Sequence, residues 1–319
     1  MQPLRIIIRD RRRFGCGGFT IVEMMVAMAI TGILVLVLVH AASLTSSILS
    51  RVQGSTDRHQ SARAIMDAIG SDLSGALLSI SPSAANDSAH QDGLQFIVNP
   101  DLPTEWENPS AIFWQAPIAL DAKAGEVAEV GYFVKWDKSD ASNPKSILCR
   151  FYVPPDNEGA FRVYSDPANW LTAEVVDSVT KADKASGYAG LFAENVLGLW
   201  IRCLKWDAAS AAMVPISGAT ERFDSREGYD SQYDPVTGEA VTKRLPYAVE
   251  IGLVLLDSRH AARIGGAEEA AITELVTQAD SAKDFVERAR KDETLKKISP
   301  GMSAHSSTIH LKNYSDLHF

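Results

Sequence analysis

The stretch GFTIVEMMVAMAITGILVLVLVHAA, residues 18–42, decides the fold of this chain. Its apolar part, residues 19–42, contains one carboxylate, Glu23, and one histidine close to its end. A helix of 24 residues is about 36 Å long, which exceeds the hydrocarbon core of about 30 Å in a bilayer. The sequence therefore predicts a membrane-spanning segment over residues 19–42.

Charge is distributed unevenly on the two sides of this segment. Residues 1–18 contain five arginines and one aspartate, whereas the whole chain has a net charge of −9, so residues 19–319 carry −13. Arginines clustered before an apolar segment keep that end in the cytoplasm, which predicts that the rest of the chain is exported. The acidic body disfavours a nucleic-acid-binding function.

Two ordinary explanations of the apolar segment remain open at this point. The chain could have a secretory signal peptide, because Val39, His40 and Ala41 form an acceptable cleavage site after the apolar run. It could also have an uncleaved anchor, and either alternative would suit a secreted or anchored enzyme. Neither explains Glu23, because a carboxylate at membrane depth is costly and usually has a partner and a function. Cys16 precedes the apolar run, unlike the cysteine of a lipoprotein.

The residues around this glutamate carry a family resemblance. Gly18, Phe19, Thr20 and Glu23, placed between a basic leader and an apolar run, resemble the prepilin motif of type IV pilins. The resemblance implies that residues 1–18 are a leader removed by a prepilin peptidase between Gly18 and Phe19, and that Phe19 is then N-methylated. It also implies that Glu23 forms an assembly salt bridge with the N-terminal amine of a neighbouring subunit.

The helix is predicted to continue beyond the membrane segment. No proline occurs between residues 3 and 82, and apolar residues at 62, 66, 69, 73, 77 and 80 recur at spacings of three and four. This pattern is typical of an amphipathic helix, here over residues 43–80, with Asp72 on its polar side. We expect a continuous helix from residue 19 to about residue 78, ended by SPSAANDS at residues 81–88.

The remainder, residues 81–319, reads as a head domain of strands and turns. Strands are predicted at residues 94–98, 130–136, 146–153, 196–206 and 245–256, and the second and third of these should form an antiparallel pair. Residues 267–298 are helical in pattern, residues 307–319 suggest a terminal strand, and residues 154–188 and 207–244 resemble surface excursions. The predicted fold class is α+β and type IV pilin-like, with a long N-terminal helix packed on an antiparallel β-sheet head.

This order of elements resembles the J-type minor pseudopilins of type II secretion systems, and also the related verrucomicrobial pilin-like cassette protein C. The resemblance is carried by a paired tyrosine and arginine, a tryptophan followed by aspartate, and a leucine followed by proline: Tyr132, Arg150, Trp206, Asp207, Leu245 and Pro246. It implies a structural subunit at the tip of a pseudopilus, with its head in the periplasm and its helix in the inner membrane. The implied partners are other pseudopilins or minor pilins, the prepilin peptidase and the inner-membrane assembly platform. A minor pilin of a type IV pilus used for adhesion or DNA uptake is the alternative.

Motifs of catalysis are missing from the sequence. It contains no Gly-x-Ser-x-Gly, no His-Glu-x-x-His and no phosphate-binding glycine loop, so we expect neither an enzyme nor a cofactor. His305 and His310 have a spacing that fits no usual metal-ligand pattern. The loop at residues 223–239 carries Asp224, Asp230 and Asp234 and is a weak calcium candidate, with a solvated acidic loop as the favoured interpretation.

Two cysteines remain after the leader. Cys149 is in phase with Ile147 and Phe151, and Cys203 is in phase with Ile201, so each should point to an apolar face of its strand. Both could be buried free thiols. A disulfide between Cys149 and Cys203 is the alternative, because an exported domain meets an oxidising compartment.

Overall fold

The computed structural model describes residues 20–77, 94–102, 108–119, 125–140, 142–157, 160–163, 165–166, 169–180, 190–216, 221–227, 230–233, 240–243 and 245–311. At residues 41–57, 230–233 and 240–243 only the backbone is described. The chain divides into two units, Met1–Gly54 and Ser55–Phe319. The leader, Gly18, Phe19 and the predicted helix-ending stretch at residues 81–88 lie outside the described residues.

The described residues form the helices and strands given below, each type numbered in chain order. The helices are α1 Ile21–Ser74, α2 Ala173–Val179, α3 Ser258–Ala261, α4 Gly266–Gln278 and α5 Ala282–Ala289. The strands are β1 Ile97–Val98, β2 Ala111–Ala116, β3 Ala128–Asp137, β4 Lys145–Val153, β5 Gly190–Glu194, β6 Val196–Asp207, β7 Ala212–Pro215, β8 Phe223–Asp224, β9 Asp230–Tyr233, β10 Ala240–Lys243, β11 Ala248–Leu256 and β12 Met302–His310.

The strands of the head form two larger antiparallel sheets and a small hairpin. One sheet has the order β5-β4-β3-β2-β1-β8, and the other has the order β12-β11-β6-β7. Within the described ranges, strands β9 and β10 pair only with each other. The predicted antiparallel pair is confirmed as β3 and β4, in which Tyr132 lies opposite Arg150.

The second half of α1 packs between the two sheets. Ala62, Ile65, Ile69 and Leu73 are buried in one cluster with side chains from the inner faces of both sheets. Burying such a stripe of aliphatic side chains stabilises the fold by about 1.5–3 kcal/mol for each large residue. The predicted arrangement, a helix packed on an antiparallel sheet head, is confirmed, although Ile65 is buried more fully than the expected Met66.

The outer face of each sheet also carries a layer whose position the sequence did not predict. Helices α4 and α5 cover part of the four-stranded sheet through a cluster that includes Trp200 and Phe285. The segment predicted as a surface excursion at residues 154–188 instead buries Trp170, Val175 and Val176 against the six-stranded sheet. The excursion prediction was wrong there because apolar residues spaced along a polar segment still reach a neighbouring sheet.

Several predicted boundaries were wrong for local reasons. Helix α1 ends at Ser74, and the chain turns at Gly75, whose backbone N–H donates to the Asp72 carbonyl oxygen at 3.2 Å. Of the strand predicted at residues 94–98, only Ile97–Val98 pairs, and β2 was missed. The helical stretch at residues 267–298 is interrupted by the N-cap Ser281, which begins α5. The terminal strand is Met302–His310, earlier than predicted.

Candidate functional site

The first turn of α1 is closed by a reciprocal pair of side chains. Glu23 Oε2 accepts hydrogen bonds from the Thr20 backbone N–H at 2.9 Å and from the Thr20 hydroxyl at 3.1 Å. The Glu23 backbone N–H donates to Thr20 Oγ1 at 3.3 Å. This is a capping box, in which residues three apart satisfy N–H groups that the helix itself leaves free. Thr20 and Glu23 therefore fix the start of the helix directly after the predicted cleavage site.

The helix that follows is apolar and open to its surroundings. Residues Ile21–His40 form one segment of 20 residues with a mean hydropathy of 2.6 and none of it buried in the chain. Ile21 is 81% exposed and Leu38 is 73% exposed. Exposing so many large aliphatic side chains to water is unfavourable, so the segment requires lipid or other apolar helices around it.

Comparison with known proteins identifies this N-terminal region. Residues 13–39 match the family described as the prokaryotic N-terminal methylation motif. This N-terminal region is similar to that of type IV pilins. The match includes Gly18, Phe19 and Glu23, and the motif implies processing by a prepilin peptidase and assembly with other pilins. No curated protein matches the chain, and no solved structure matches it.

A carboxylate on α1 joins the pilin-like helix to the six-stranded sheet. Asp72 Oδ2 lies 2.8 Å from Arg150 Nη2 and 3.0 Å from Arg150 Nε, and it accepts a hydrogen bond from the Tyr132 hydroxyl at 2.7 Å. The Asp72 and Arg150 side chains are only 16% and 13% exposed. Burial raises the pKa of Tyr132, and the nearby Asp72 charge raises it further. The expectation that Asp72 lies on the polar side of the helix was therefore wrong.

Other residues of the J-type resemblance lie on or next to the second sheet. Trp206 is 43% exposed near the end of β6. Asp207 follows it and accepts hydrogen bonds from the Ser210 hydroxyl and backbone, which shapes the turn into β7 and lowers the pKa of Asp207. Leu245 is buried, and Pro246 comes just before β11. These positions give structural roles and do not by themselves decide the type of pilin.

The calcium candidate is not assembled by the described residues. Asp224 has a side chain only 5% exposed, and its carboxylate is already occupied by Arg222 Nη2 at 2.7 Å and by Gln95 Nε2 at 2.8 Å and 2.9 Å. Asp230 is described only by its backbone in β9, and Asp234 lies outside the described residues. A carboxylate held by protein donors is a poor cation ligand, so Asp224 is badly placed to bind calcium, and the calcium site stays an untested prediction.

Cys149 and Cys203 are free thiols in separate hydrophobic clusters. Cys149 lies with Ile147 and Phe151 on the outer face of the six-stranded sheet, and Cys203 lies with Ile201 in the core between the sheets. The phases read from the sequence are confirmed, but the disulfide alternative is not realised. Burial raises the pKa of Cys149 to about 11 and also raises the pKa of Cys203.

A buried polar network on the outer face of the six-stranded sheet was missed by sequence reasoning. Glu129 on β3 lies opposite Gln115 on β2, and its Oε1 accepts a hydrogen bond from the Arg162 backbone N–H at 3.1 Å. Gln115 Oε1 accepts from the Gln95 N–H, and Gln95 Oε1 accepts from the Trp170 indole. Burial raises the pKa of Glu129 to about 8, although backbone N–H groups lower it. The position of Glu129 within an otherwise apolar strand was the sequence feature that could have revealed this network.

Histidines in the described region serve packing and hydrogen bonding. His260 Nδ1 lies 2.7 Å from Asp257 Oδ1, and Arg58 Nη1 lies 3.0 Å from Asp257 Oδ2. His305 stacks edge-on against His59, whereas His310 stacks edge-on against Tyr247. Within the described ranges, no group of three or more His, Cys, Asp or Glu side chains is placed to hold a metal ion.

Proposed function

We propose that this protein is a minor pseudopilin-like structural subunit at the tip of a type II secretion pseudopilus. In this role it primes assembly and presents its head to partner subunits. The observation that supports the proposal is the methylation motif placed at the start of an apolar helix with a carboxylate in its first turn. The helix would lie in the inner membrane and the acidic head in the periplasm.

Glu23 is the residue on which the proposed assembly depends. A carboxylate within an apolar environment is costly unless a cation compensates its charge. Both hydrogen bonds to the Glu23 carboxylate use Oε2, and they leave its charge without a cation among the described residues. The methylated amine of a neighbouring Phe19 would supply that charge and set the axial register between subunits.

The size of the head supports the tip position. Beyond the helix and the two sheets, the head carries the α4–α5 layer on one sheet and the segment around α2 on the other. Such layers widen the subunit, and a wide head would be difficult to repeat along a shaft. We infer that a filament contains one copy of this subunit. That copy lies at the tip, where only one side of the head must contact the filament.

Mass spectrometry tests the processing step of this proposal. Protein extracted from membranes should begin at Phe19, and its first residue should carry a methyl group. A mature chain beginning at Ala42, or an intact Met1, would contradict the proposal and favour a conventional signal peptide or anchor.

Three substitutions separate the capping role of Glu23 from its charge. Glu23→Gln keeps an oxygen that accepts from Thr20 but removes the charge, Glu23→Ala removes both, and Thr20→Ala keeps the charge while removing the hydroxyl. We expect Glu23→Gln and Glu23→Ala to lose co-purification with other pilin-like subunits, and Thr20→Ala to retain it. Normal recovery of partners by Glu23→Gln would refute the salt-bridge role.

A deletion strain tests the secretion assignment itself. Loss of exported type II substrates on deletion, restored by the wild-type chain but not by Glu23→Gln, is the expected result. Normal secretion combined with loss of surface pili would instead assign the protein to a type IV pilus.

A further inference from the structure

The longest sheet edge of the head is the outer edge of β12. This strand has nine residues, and among the residues that the structure describes it pairs with β11 alone. The other edge strands of the two larger sheets are β5, β8 and β7, which have five, two and four residues. Proteins usually shorten an edge or protect it with charges, prolines or bulges, because an open edge can pair with another chain. The β12 edge is the exception to the short edges of this head.

None of the usual protective features occurs in β12. Its sequence, MSAHSSTIH, has no acidic residue, no lysine or arginine and no proline. Its register with β11 runs without a bulge through nine consecutive pairs, from Ala248–His310 to Leu256–Met302. A regular, uncharged strand of this length provides a straight template for strand addition.

The hydrogen bonds at both ends of β12 show which residues face the open edge. The Asp257 N–H donates to the Gly301 oxygen at 3.1 Å, and the Leu311 N–H donates to the Tyr247 oxygen at 3.2 Å. Bonded residues alternate in an antiparallel pair, so odd-numbered residues from 301 to 311 bond towards β11. The backbone N–H and C=O groups of Ala304, Ser306, Thr308 and His310 therefore point outwards, and all four residues are exposed.

A cleft of about 390 Å³ lies beside this edge on the outer face of the sheet. Trp200, Gly252, Ala304 and Ser306 line it, together with residues 280–283 at the start of α5. The lining also includes two cationic and two anionic side chains, those of Arg202, Lys283, Glu250 and Asp280. Ala304 and Ser306 are small, so a large side chain of a neighbouring strand can lean across them into the cleft. The opposite face of β12 is covered by α1, through contacts such as Ile309 with Gly70.

We propose that β12 is a docking edge for an extended, basic segment of a partner protein, which adds a strand and inserts one large apolar side chain into the cleft. The outward backbone groups supply the main-chain hydrogen bonds, and the cleft supplies side-chain specificity. Charge complementarity favours a basic segment, because residues 19–319 carry a net charge of −13. This surface is separate from the N-terminal motif and does not depend on the proposed function.

A second copy of this chain fits the edge less well. Its own outward-facing residues on β12 are alanine, serine, threonine and histidine, so it has no large apolar side chain to fill the cleft. Two acidic chains also repel each other at low ionic strength. Self-association through β12 is therefore an outcome that would overturn the proposal.

The test uses the full chain in detergent and a fluorescein-labelled peptide, KTVTWTVTK, with KTVTATVTK as its matched control. Wild-type protein should bind the first peptide saturably, and replacing its tryptophan by alanine should weaken binding by about tenfold. Ser306→Pro removes an outward N–H without removing a bond to β11, and it should weaken binding by at least about tenfold. Ser306→Ala keeps the N–H group and should bind as the wild type does.

Amide hydrogen exchange in the wild type gives a readout that does not rely on any variant. The peptide should slow exchange at residues 304, 306 and 308, whereas residues 303, 305 and 307 are already protected by β11. The proposal is overturned by absent or non-saturable binding, by equal binding to Ser306→Pro, or by protection elsewhere in the head. It is also overturned by a β12-linked dimer, or by binding that appears only after residues 312–319 are removed.

Discussion

Replacing Glu129 by glutamine should remove most of the pH dependence of stability that the head shows between pH 5 and 8. Glu129 is fully buried on β3, and burial raises its pKa from 4.5 to about 8. A carboxyl group whose folded-state pKa is raised stabilises the fold only while it is protonated. Its contribution is fully present below pH 4.5 and is lost as the pH rises through 8.

The size of the effect follows from the shift in pKa. A shift from 4.5 to about 8 corresponds to about 5 kcal/mol, since each pKa unit is worth about 1.4 kcal/mol. This value is an upper bound, because water entry and local rearrangement relieve part of the penalty on the ionised group. Glutamine keeps the shape and the oxygen that accepts from Arg162 but does not ionise.

Chemical denaturation at several pH values measures this difference, with tryptophan fluorescence as the signal because all six tryptophans lie beyond residue 100. Wild type and Glu129→Gln should have similar free energies of unfolding near pH 4.5, and the variant should be more stable by several kcal/mol at pH 8. Glu194→Gln, on the exposed end of β5, is the matched control and should follow the wild type. Parallel curves for wild type and Glu129→Gln would refute the reasoning.

The remaining predictions concern packing in the head. Asp72→Ala leaves the Arg150 guanidinium buried without its carboxylate, so it should lower the free energy of unfolding by about 3–5 kcal/mol in denaturant titrations. Gly131→Ala should also destabilise strongly, because its Cβ would lie 2.6 Å from a phenylalanine ring carbon of β2, and calorimetry should show a lower melting temperature. A chain beginning at Arg51 should be folded and monomeric in size exclusion, whereas one beginning at Gln91 should aggregate, because it lacks the α1 side chains that cover the sheets, each worth about 1.5–3 kcal/mol. Equal stability of the two truncated chains would contradict the packing of α1 on the head.

The strongest strands of the head were predictable because their signal lies in consecutive residues. The runs that became β3, β4, β6 and β11 are long, rich in apolar residues and bounded by turns, and the structure places strands there. Strand β2 was missed, although AIFWQA is apolar, because six residues without clear alternation give little periodicity. The weak strand at residues 97–98 exists only because β2 and β8 lie on its two sides.

Charged residues were harder to place than strands. Helical periodicity placed Asp72 on the polar side of the helix, yet it contacts Arg150, a residue 78 positions further along the chain. Asp224 was expected in an open acidic loop, yet Arg222 and Gln95 enclose its carboxylate. Whether a charged side chain is solvated or paired depends on partners that are distant in sequence, and local patterns carry no information about them.

The sequence by itself determined the methylation motif at residues 13–39 and the apolar helix Ile21–His40. Both depend on the composition and order of neighbouring residues, which can be read without knowledge of distant contacts. Only the tertiary structure decided that the head has two sheets around α1, that Glu129 is buried and that β12 forms a long open edge. Strand order, burial and edge exposure arise from contacts between distant segments, which many sequences with the same local pattern would form differently.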